Sequence, residues 1–271
     1  MSDISEVAQR SPVHHAISRD GTAIAYERSG DGAPIIIVGG AFNDRTTAAE
    51  LAAALAPGCT AIAYDRRGRG SSGDTTPYAV EREIEDLAAL IEDIGGSASL
   101  YGLSSGAILA LDATAAGLPV SSLAIFEPPL QIEGGPQLPE DYLATLDAFS
   151  ADDRRGEAVE YFMTAAVGLP PEAVAQTRQS PAWAGMEAVA HTLRYDGAIT
   201  VRPLTADRFA GITVPTLTLA SVASPPWLQI PSRTVAEMIP GARYLAVDGG
   251  FHDVPPATLA PLLFDHLAGG S

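Results

Sequence analysis

Two short runs constrain the fold of this chain more than any other feature: Pro34-Ile35-Ile36-Ile37-Val38 and Thr60-Ala61-Ile62-Ala63-Tyr64. A strand with one wet face alternates apolar and polar residues. A continuous β-branched run means a strand buried on both faces, the pattern of a parallel sheet covered front and back by helices. Shorter runs of the same kind recur at 98–101, 123–126, 214–220 and 242–247, with helical patterns at 45–56, 78–94, 107–116, 232–239 and 256–267. Two strands at 13–18 and 22–28, joined by Arg19-Asp20-Gly21, read as a hairpin at the start, after an arm of 12 residues without periodicity. Alternating strands and helices predict an α/β fold with a mostly parallel, doubly covered sheet and right-handed crossovers.

The rhythm breaks once. Between 129 and 204 the pattern is helical only, with segments at 140–150, 154–167, 171–179 and 181–196 separated by Pro and Gly. This predicts three parts: 1–128 as the first part of the α/β core, 129–204 as an all-helical cap insertion, and 205–271 as the rest of the core.

Ligand sites on such sheets lie in the loops at the carboxyl ends of the strands. Gly102-Leu103-Ser104-Ser105-Gly106 follows a short apolar run and precedes an alanine-rich helical stretch. A strand entering a helix through Gly-x-Ser-x-Gly is the setting of a nucleophile elbow. The turn strains the serine backbone, and side chains at 102 and 106 would collide with the adjoining strand and helix. Ser104 is thus the candidate nucleophile, and its bare spacing gains weight only from the strand and helix beside it.

A serine hydroxyl needs a base. Of five histidines, His14 and His15 fall in the first strand, His191 in the helical insertion and His266 on an exposed face of the last helix. His252 lies in Asp248-Gly249-Gly250-Phe251-His252-Asp253, between the last strand and the last helix, and is the expected base. A carboxylate should hold its imidazole. The loop after 214–220 contains no Asp or Glu, whereas Glu127 stands at the end of the strand next to the elbow strand. Glu127 is the candidate acid, with Asp248 and Asp253 as weaker alternatives. Two N–H donors for an oxyanion are expected from Ser105 and from Gly39-Gly40-Ala41-Phe42, at Ala41 with Phe42 next in line. Candidate substrate-lining residues are Phe162, Met163, Trp183, Met186 and Tyr195 in the insertion. Phe42, Leu103 and Trp227 would lie below them.

Composition excludes some partners. With 33 acidic against 16 basic residues the chain carries a net charge of −17, which disfavours nucleic acid and anionic membranes. No run approaches the roughly 18–20 apolar residues of a membrane helix. The polar, acidic beginning predicts no secretory signal, and the single Cys59 forms no internal disulfide and reads as a small buried residue. A cytoplasmic enzyme with a small-molecule substrate is expected, its oligomeric state left open. There is no phosphate loop, dinucleotide fingerprint or metal-ligand spacing, so no cofactor and no metal are expected.

Taken together, the Gly39-Gly40 turn, Asp65-x-Arg67-Gly68-x-Gly70-x-Ser72, the Ser104 elbow, the helical insertion and the late His252 resemble the α/β-hydrolase superfamily over nearly the whole chain. The resemblance implies a serine hydrolase acting on a hydrophobic ester, lactone or thioester through an acyl-enzyme, with the Asp65 loop as a structural signature. This chain has Gly39 where many members have His, and Leu103 where many have His before Ser. The commonest acid position, after the strand that follows the cap, is empty. Certain haloalkane dehalogenases keep the acid one strand earlier, the place of Glu127. Two other readings stay open: a lyase or cyclase of secondary metabolism on the same fold, and a ligand-binding protein with an inactive site.

Overall fold

A computed structural model describes residues 12–132 and 135–268; the arm expected at 1–12 falls outside them but for its last residue. Eight strands form one sheet: β1 His14–Ile17, β2 Ala23–Ser29, β3 Pro34–Val38, β4 Thr60–Tyr64, β5 Ala98–Leu103, β6 Val120–Phe126, β7 Thr216–Ser221 and β8 Arg243–Val247. Their order is β1-β2-β4-β3-β5-β6-β7-β8, and β2 alone runs against the rest. The strand–helix repeat supplies the crossovers that parallel neighbours require. The helices of the first half are α1 Ala49–Leu55, α2 Val80–Asp93 and α3 Ser105–Ala115. Those between β6 and β7 are α4 Tyr142–Ala151, α5 Arg155–Tyr161, α6 Pro171–Arg178, α7 Trp183–Ala188 and α8 Leu193–Thr200. The last two are α9 Pro226–Met238 and α10 Pro256–Ala268.

The β-branched runs do what their pattern predicts. Ile35 and Ile37 point to one face, where they pack with Leu51 and Leu55 of α1 and Leu259 and Leu263 of α10. Ile36 and Val38 point to the other, against Leu87 and Leu90 of α2, Ile108 of α3 and Val235 of α9. Each fully buried Ile or Leu is worth about 1.5–3 kcal/mol relative to exposure. A third cluster, around Tyr142, Leu146, Val159, Met163 and Leu193, belongs to α4–α8 and reaches the core at Ala41 and Phe42. The helical segment therefore rests on the turn that leaves β3. Because β3–β8 are parallel, the loops after all six of them meet at one edge of the sheet.

Several boundaries differ from expectation. The helix expected from 45 starts at Ala49, because Asp44 Oδ1 accepts the N–H groups of Thr46 (2.8 Å) and Thr47 (3.2 Å), a turn that competes with helix. The helix expected from 232 starts at Pro226, since a proline in the first turn has no N–H to lose and is favourable there. The segment expected at 154–167 changes at Phe162–Ala166 to π-helical geometry. The one expected at 181–196 splits into α7, a 3₁₀ turn at Ala190–Thr192, and α8. His266 is buried, not exposed, and its Nε2 donates to Leu123 O of β6 at 3.0 Å. Cys59 is buried with its Sγ against Leu55 O.

Candidate active site

The backbone carries the first mark of the site. Among the described residues five that are not glycine have positive φ, and four of them stand at strand ends of this one edge: Phe42 (63°), Ser104 (57°), Glu127 (46°) and His252 (52°). Side-chain-bearing residues hold such angles only where the surroundings over-determine them, and such positions cluster at functional sites. At Ser104 the cause is visible. A Cβ on Gly106 would press into the backbone of Val38 and Gly39, and one on Gly102 would lie 2.6 Å from Ala107 Cα. The strand and helix are thus in backbone contact, and the serine between them is bent outward. A Cβ on Gly40 would lie 2.7 Å from Ser104 Cβ, so the turn after β3 also passes directly over the serine.

Glu127 is completely buried. Its Oε2 is 2.6 Å from His252 Nδ1, and its Oε1 accepts the Ser221 N–H at 2.7 Å. Opposite an ionised carboxylate, which only accepts hydrogen bonds, Nδ1 is the donor, and in a neutral imidazole Nε2 then keeps its lone pair. The loop after β7, which holds no acid, contributes in another way: Ser221 donates its amide to the Glu127 carboxylate, and Ser224 Oγ accepts the His252 N–H at 2.9 Å. Phe126 stacks on the imidazole with ring centroids 5.8 Å apart. Neither Asp248 nor Asp253 bonds to the ring; Asp253 is exposed at the mouth of the cavity.

Ser104 and His252 share the wall of a cavity of about 490 Å³. No hydrogen bond joins them, a common state of such pairs before substrate binds. The amides of Ala41, Phe42 and Ser105 donate to no acceptor among the described residues. The first two are the central residues of a turn closed by Asn43 N–H to Gly40 O at 3.3 Å, and the third opens α3. They are free donors of the kind that holds an anion at a helix N-terminus or turn.

Phe42, Leu103, Phe162, Met163 and Trp227 line the cavity, and its lining continues through Leu138, Ala166, Val167 and Leu169. Trp183, Met186 and Tyr195 do not. Trp183 and Met186 pack inside the α4–α8 cluster, with the Arg178 guanidinium 5.8 Å from the Trp183 ring. Tyr195 faces away, stacked on Tyr78 at 3.9 Å with its hydroxyl donating to Asp74 at 2.8 Å. Large apolar or aromatic side chains marked these three, but the face each helix turns to the cavity is decided by tertiary packing.

Sequence reasoning missed a buried ionic network beside the serine. Arg66 clamps Glu83 through Nε and Nη2, both at 2.6 Å, and reaches Asp196 at 2.7 Å. Arg69 donates to Asp196 (2.6 Å), Gly40 O (2.5 Å) and Asn43 O (3.1 Å). Burial alone would raise the Asp196 pKa; the charges of Arg69 and Arg66 and the Ser105 hydroxyl outweigh it and hold the carboxyl below its ordinary range. A lone acid in the apolar stretch Leu193-Arg194-Tyr195-Asp196-Gly197-Ala198-Ile199 was the available signal. Among the described residues no group of three or more His, Cys, Asp or Glu is arranged to hold a metal ion, and no helix is long and apolar enough to cross a membrane.

Comparison with known proteins gives the following. The sequence model of the alpha/beta hydrolase family matches residues 30–265. The crystal structure of an alpha/beta hydrolase from Sphaerobacter thermophilus is 52% identical, covers 93% of this chain and 99% of that one, and superposes with a TM-score of 0.89. The enol-lactonase of Burkholderia xenovorans has the same fold at 21% identity, with 94% and 100% coverage and a TM-score of 0.70. A Mycobacterium tuberculosis protein, BpoC, whose name assigns it provisionally to the non-heme bromoperoxidases, is 31% identical over 90 residues, 32% of this chain. The match spans only about a third (34%) of that curated relative's length.

Proposed function

Because this chain belongs to the alpha/beta hydrolase family, we propose that it is a serine hydrolase that cleaves a hydrophobic carboxylic ester, lactone or thioester through an acyl-enzyme. The observation that carries the reading is the Glu127–His252 contact of 2.6 Å on the wall of the cavity that also contains Ser104.

In this mechanism His252 Nε2 takes the Ser104 proton as Oγ attacks the acyl carbonyl. The N–H groups of Ser105 and of Ala41, with Phe42 beside it, hold the resulting oxyanion. The tetrahedral intermediate collapses, and His252 gives the proton to the departing alkoxide or thiolate, which in a lactone stays tethered to the acyl chain. Water gives a proton to the same nitrogen as it attacks the acyl carbon, and His252 passes that proton to Ser104 Oγ as the acid is released and the serine restored. Glu127 keeps the proton on Nδ1 and offsets the imidazolium charge. Residues 129–204 act as a cap that roofs the pocket and excludes water. The wall of Phe42, Leu138, Phe162, Met163, Val167 and Leu169 suits an apolar acyl group.

The test is hydrolysis of p-nitrophenyl esters by the native protein and by Ser104→Ala. The proposal expects turnover by the native protein and a loss of at least about 10³-fold in kcat in the variant. Activity that survives the substitution overturns it and favours a chemistry that uses the pocket and His252 without the serine.

A further inference from the structure

We infer that Asp196, delivered by α8 of the helical segment, is a positioning residue that holds both arms of the oxyanion hole in register. The inference rests on the function proposed above and concerns a residue that neither the elbow motif nor the Ser104–His252–Glu127 set includes.

The geometry converges on one carboxylate. Oδ1 accepts from Ser105 Oγ at 2.6 Å and from Arg66 Nη1 at 2.7 Å; Oδ2 accepts from Arg69 Nη2 at 2.6 Å. The first bond ties down the residue whose N–H is one oxyanion donor. The arginines tie down the other arm: Arg69 donates to Gly40 O and Asn43 O, which bracket Ala41 and Phe42, and Arg66 donates to Gly39 O at 3.3 Å. Asp196, Arg66, Arg69 and Ser105 are all nearly inaccessible, so these bonds are little screened and their geometry is stiff. The two arginines differ in their dependence on Asp196. Arg66 has Glu83 as a second counter-ion, whereas Asp196 is the only carboxylate that pairs with Arg69 among the described residues. Arg69 is therefore the arm that swings when Asp196 is lost.

Charge and position predict opposite outcomes for Asp196→Asn. A buried negative charge beside the hole disfavours the oxyanion, so its removal, acting through charge alone, would stabilise the transition state. If Asp196 instead holds the donors in place, its removal weakens catalysis, because a displaced donor supplies little.

The experiment compares inhibition by a trifluoromethyl ketone and by its methyl ketone parent. The fluorinated ketone forms a Ser104 Oγ–carbon bond, passes the serine proton to His252, and leaves an oxyanion in the hole; the parent binds without that step. For Asp196→Asn the expected result is a fall of at least about tenfold in the ratio of the two inhibition constants, with a parallel fall in kcat. The methyl-ketone constant should change less than about threefold. That is a share of the 10²–10³ lost when a donor is removed outright. Ser105→Ala keeps the amide and loses only its tether, so a smaller fall of about threefold or more is expected, and this milder change decides the matter should Asp196→Asn not fold. Asp86→Asn breaks an equally buried Arg67 pair (2.6 and 2.8 Å) away from the hole; it should lower Tm and leave the ratio unchanged. A native ratio in folded Asp196→Asn or Ser105→Ala, or an Asp86→Asn ratio that falls as far, overturns the inference. Absence of both ester turnover and trifluoromethyl ketone inhibition in the native protein overturns the proposed function itself, and this inference with it.

Discussion

Replacing Glu127 by Gln exchanges one carboxylate oxygen for an NH₂ in a fully enclosed space. The carboxylate accepts from the Ser221 N–H at 2.7 Å and faces His252 Nδ1 at 2.6 Å. A glutamine has one acceptor for these two places. If its oxygen keeps Ser221, its NH₂ faces Nδ1, which must then become the acceptor. The imidazole proton moves to Nε2, and the ring can no longer take the serine proton. If its oxygen turns to Nδ1, an N–H is driven against the Ser221 N–H, at a cost of about 1–3 kcal/mol for buried unmatched donors. The first arrangement is the cheaper one and the inactive one. A wrong tautomer in such a triad costs about 10⁴ in kcat, so Glu127→Gln should lose about 10³–10⁴, equivalent to about 4–5.5 kcal/mol of barrier. The assay is steady-state hydrolysis of p-nitrophenyl butyrate, with KM expected within about threefold because the carboxylate does not line the cavity. The double variant with Ser104→Ala should be no worse than Ser104→Ala alone, since the residues act as a unit. A loss below about tenfold in the single variant would refute the tautomer argument.

Two further predictions concern the scaffold. Gly106→Ala would drive a Cβ into the backbone of Val38 and Gly39, so urea unfolding should show about 1–3 kcal/mol of destabilisation, whereas Gly185→Ala, in α7 with open space around it, should stabilise by about 0.5–1 kcal/mol; equal effects would contradict the contact argument. Burial, and after it the charge of Arg243, push the His266 pKa below the ordinary histidine value, against hydrogen bonds to Leu123 and Pro215. A histidine whose folded pKa lies below its unfolded one contributes full stability above the unfolded value, and that stability is lost as pH falls below about 6.5 toward the folded value. The urea midpoint should therefore drop between pH 7.5 and 5, and less steeply in His266→Gln; an unchanged slope in the variant refutes the assignment. Asp196 titrates outside that window, since its neighbours hold its pKa below the ordinary carboxylate range.

The fold was legible because its signals are local and redundant. Five consecutive apolar residues at 34–38 can only be a doubly buried strand or a piece of buried helix, and the Gly-rich turns on either side exclude the helix. The strand-end residues Ser104, Glu127 and His252 could be singled out because parallel topology sends all such loops to one edge. Glu127 emerged by elimination, because the loop at 221–227 holds no acid. What stayed hidden depends on tertiary packing. Nothing in the order of residues around Tyr195 tells which face of α8 meets the cavity, and it is Asp196, the next residue, that reaches the site. The helix expected only from 232 begins at Pro226, because a proline at the start of α9 costs no hydrogen bond. His266 sits in a charged-looking last turn, Phe264-Asp265-His266, yet turns inward because Leu123 O offers it an acceptor.

The central claim is that Ser104 is the nucleophile, and covalent trapping tests it most directly. The native protein is incubated with a fluorophosphonate, digested, and mapped by mass spectrometry. The account predicts a single phosphonyl adduct on the peptide that contains Ser104, formed with loss of fluoride, and no adduct in Ser104→Ala. An unmodified Ser104 in a protein that still hydrolyses esters, or equal labelling of the variant, would contradict it.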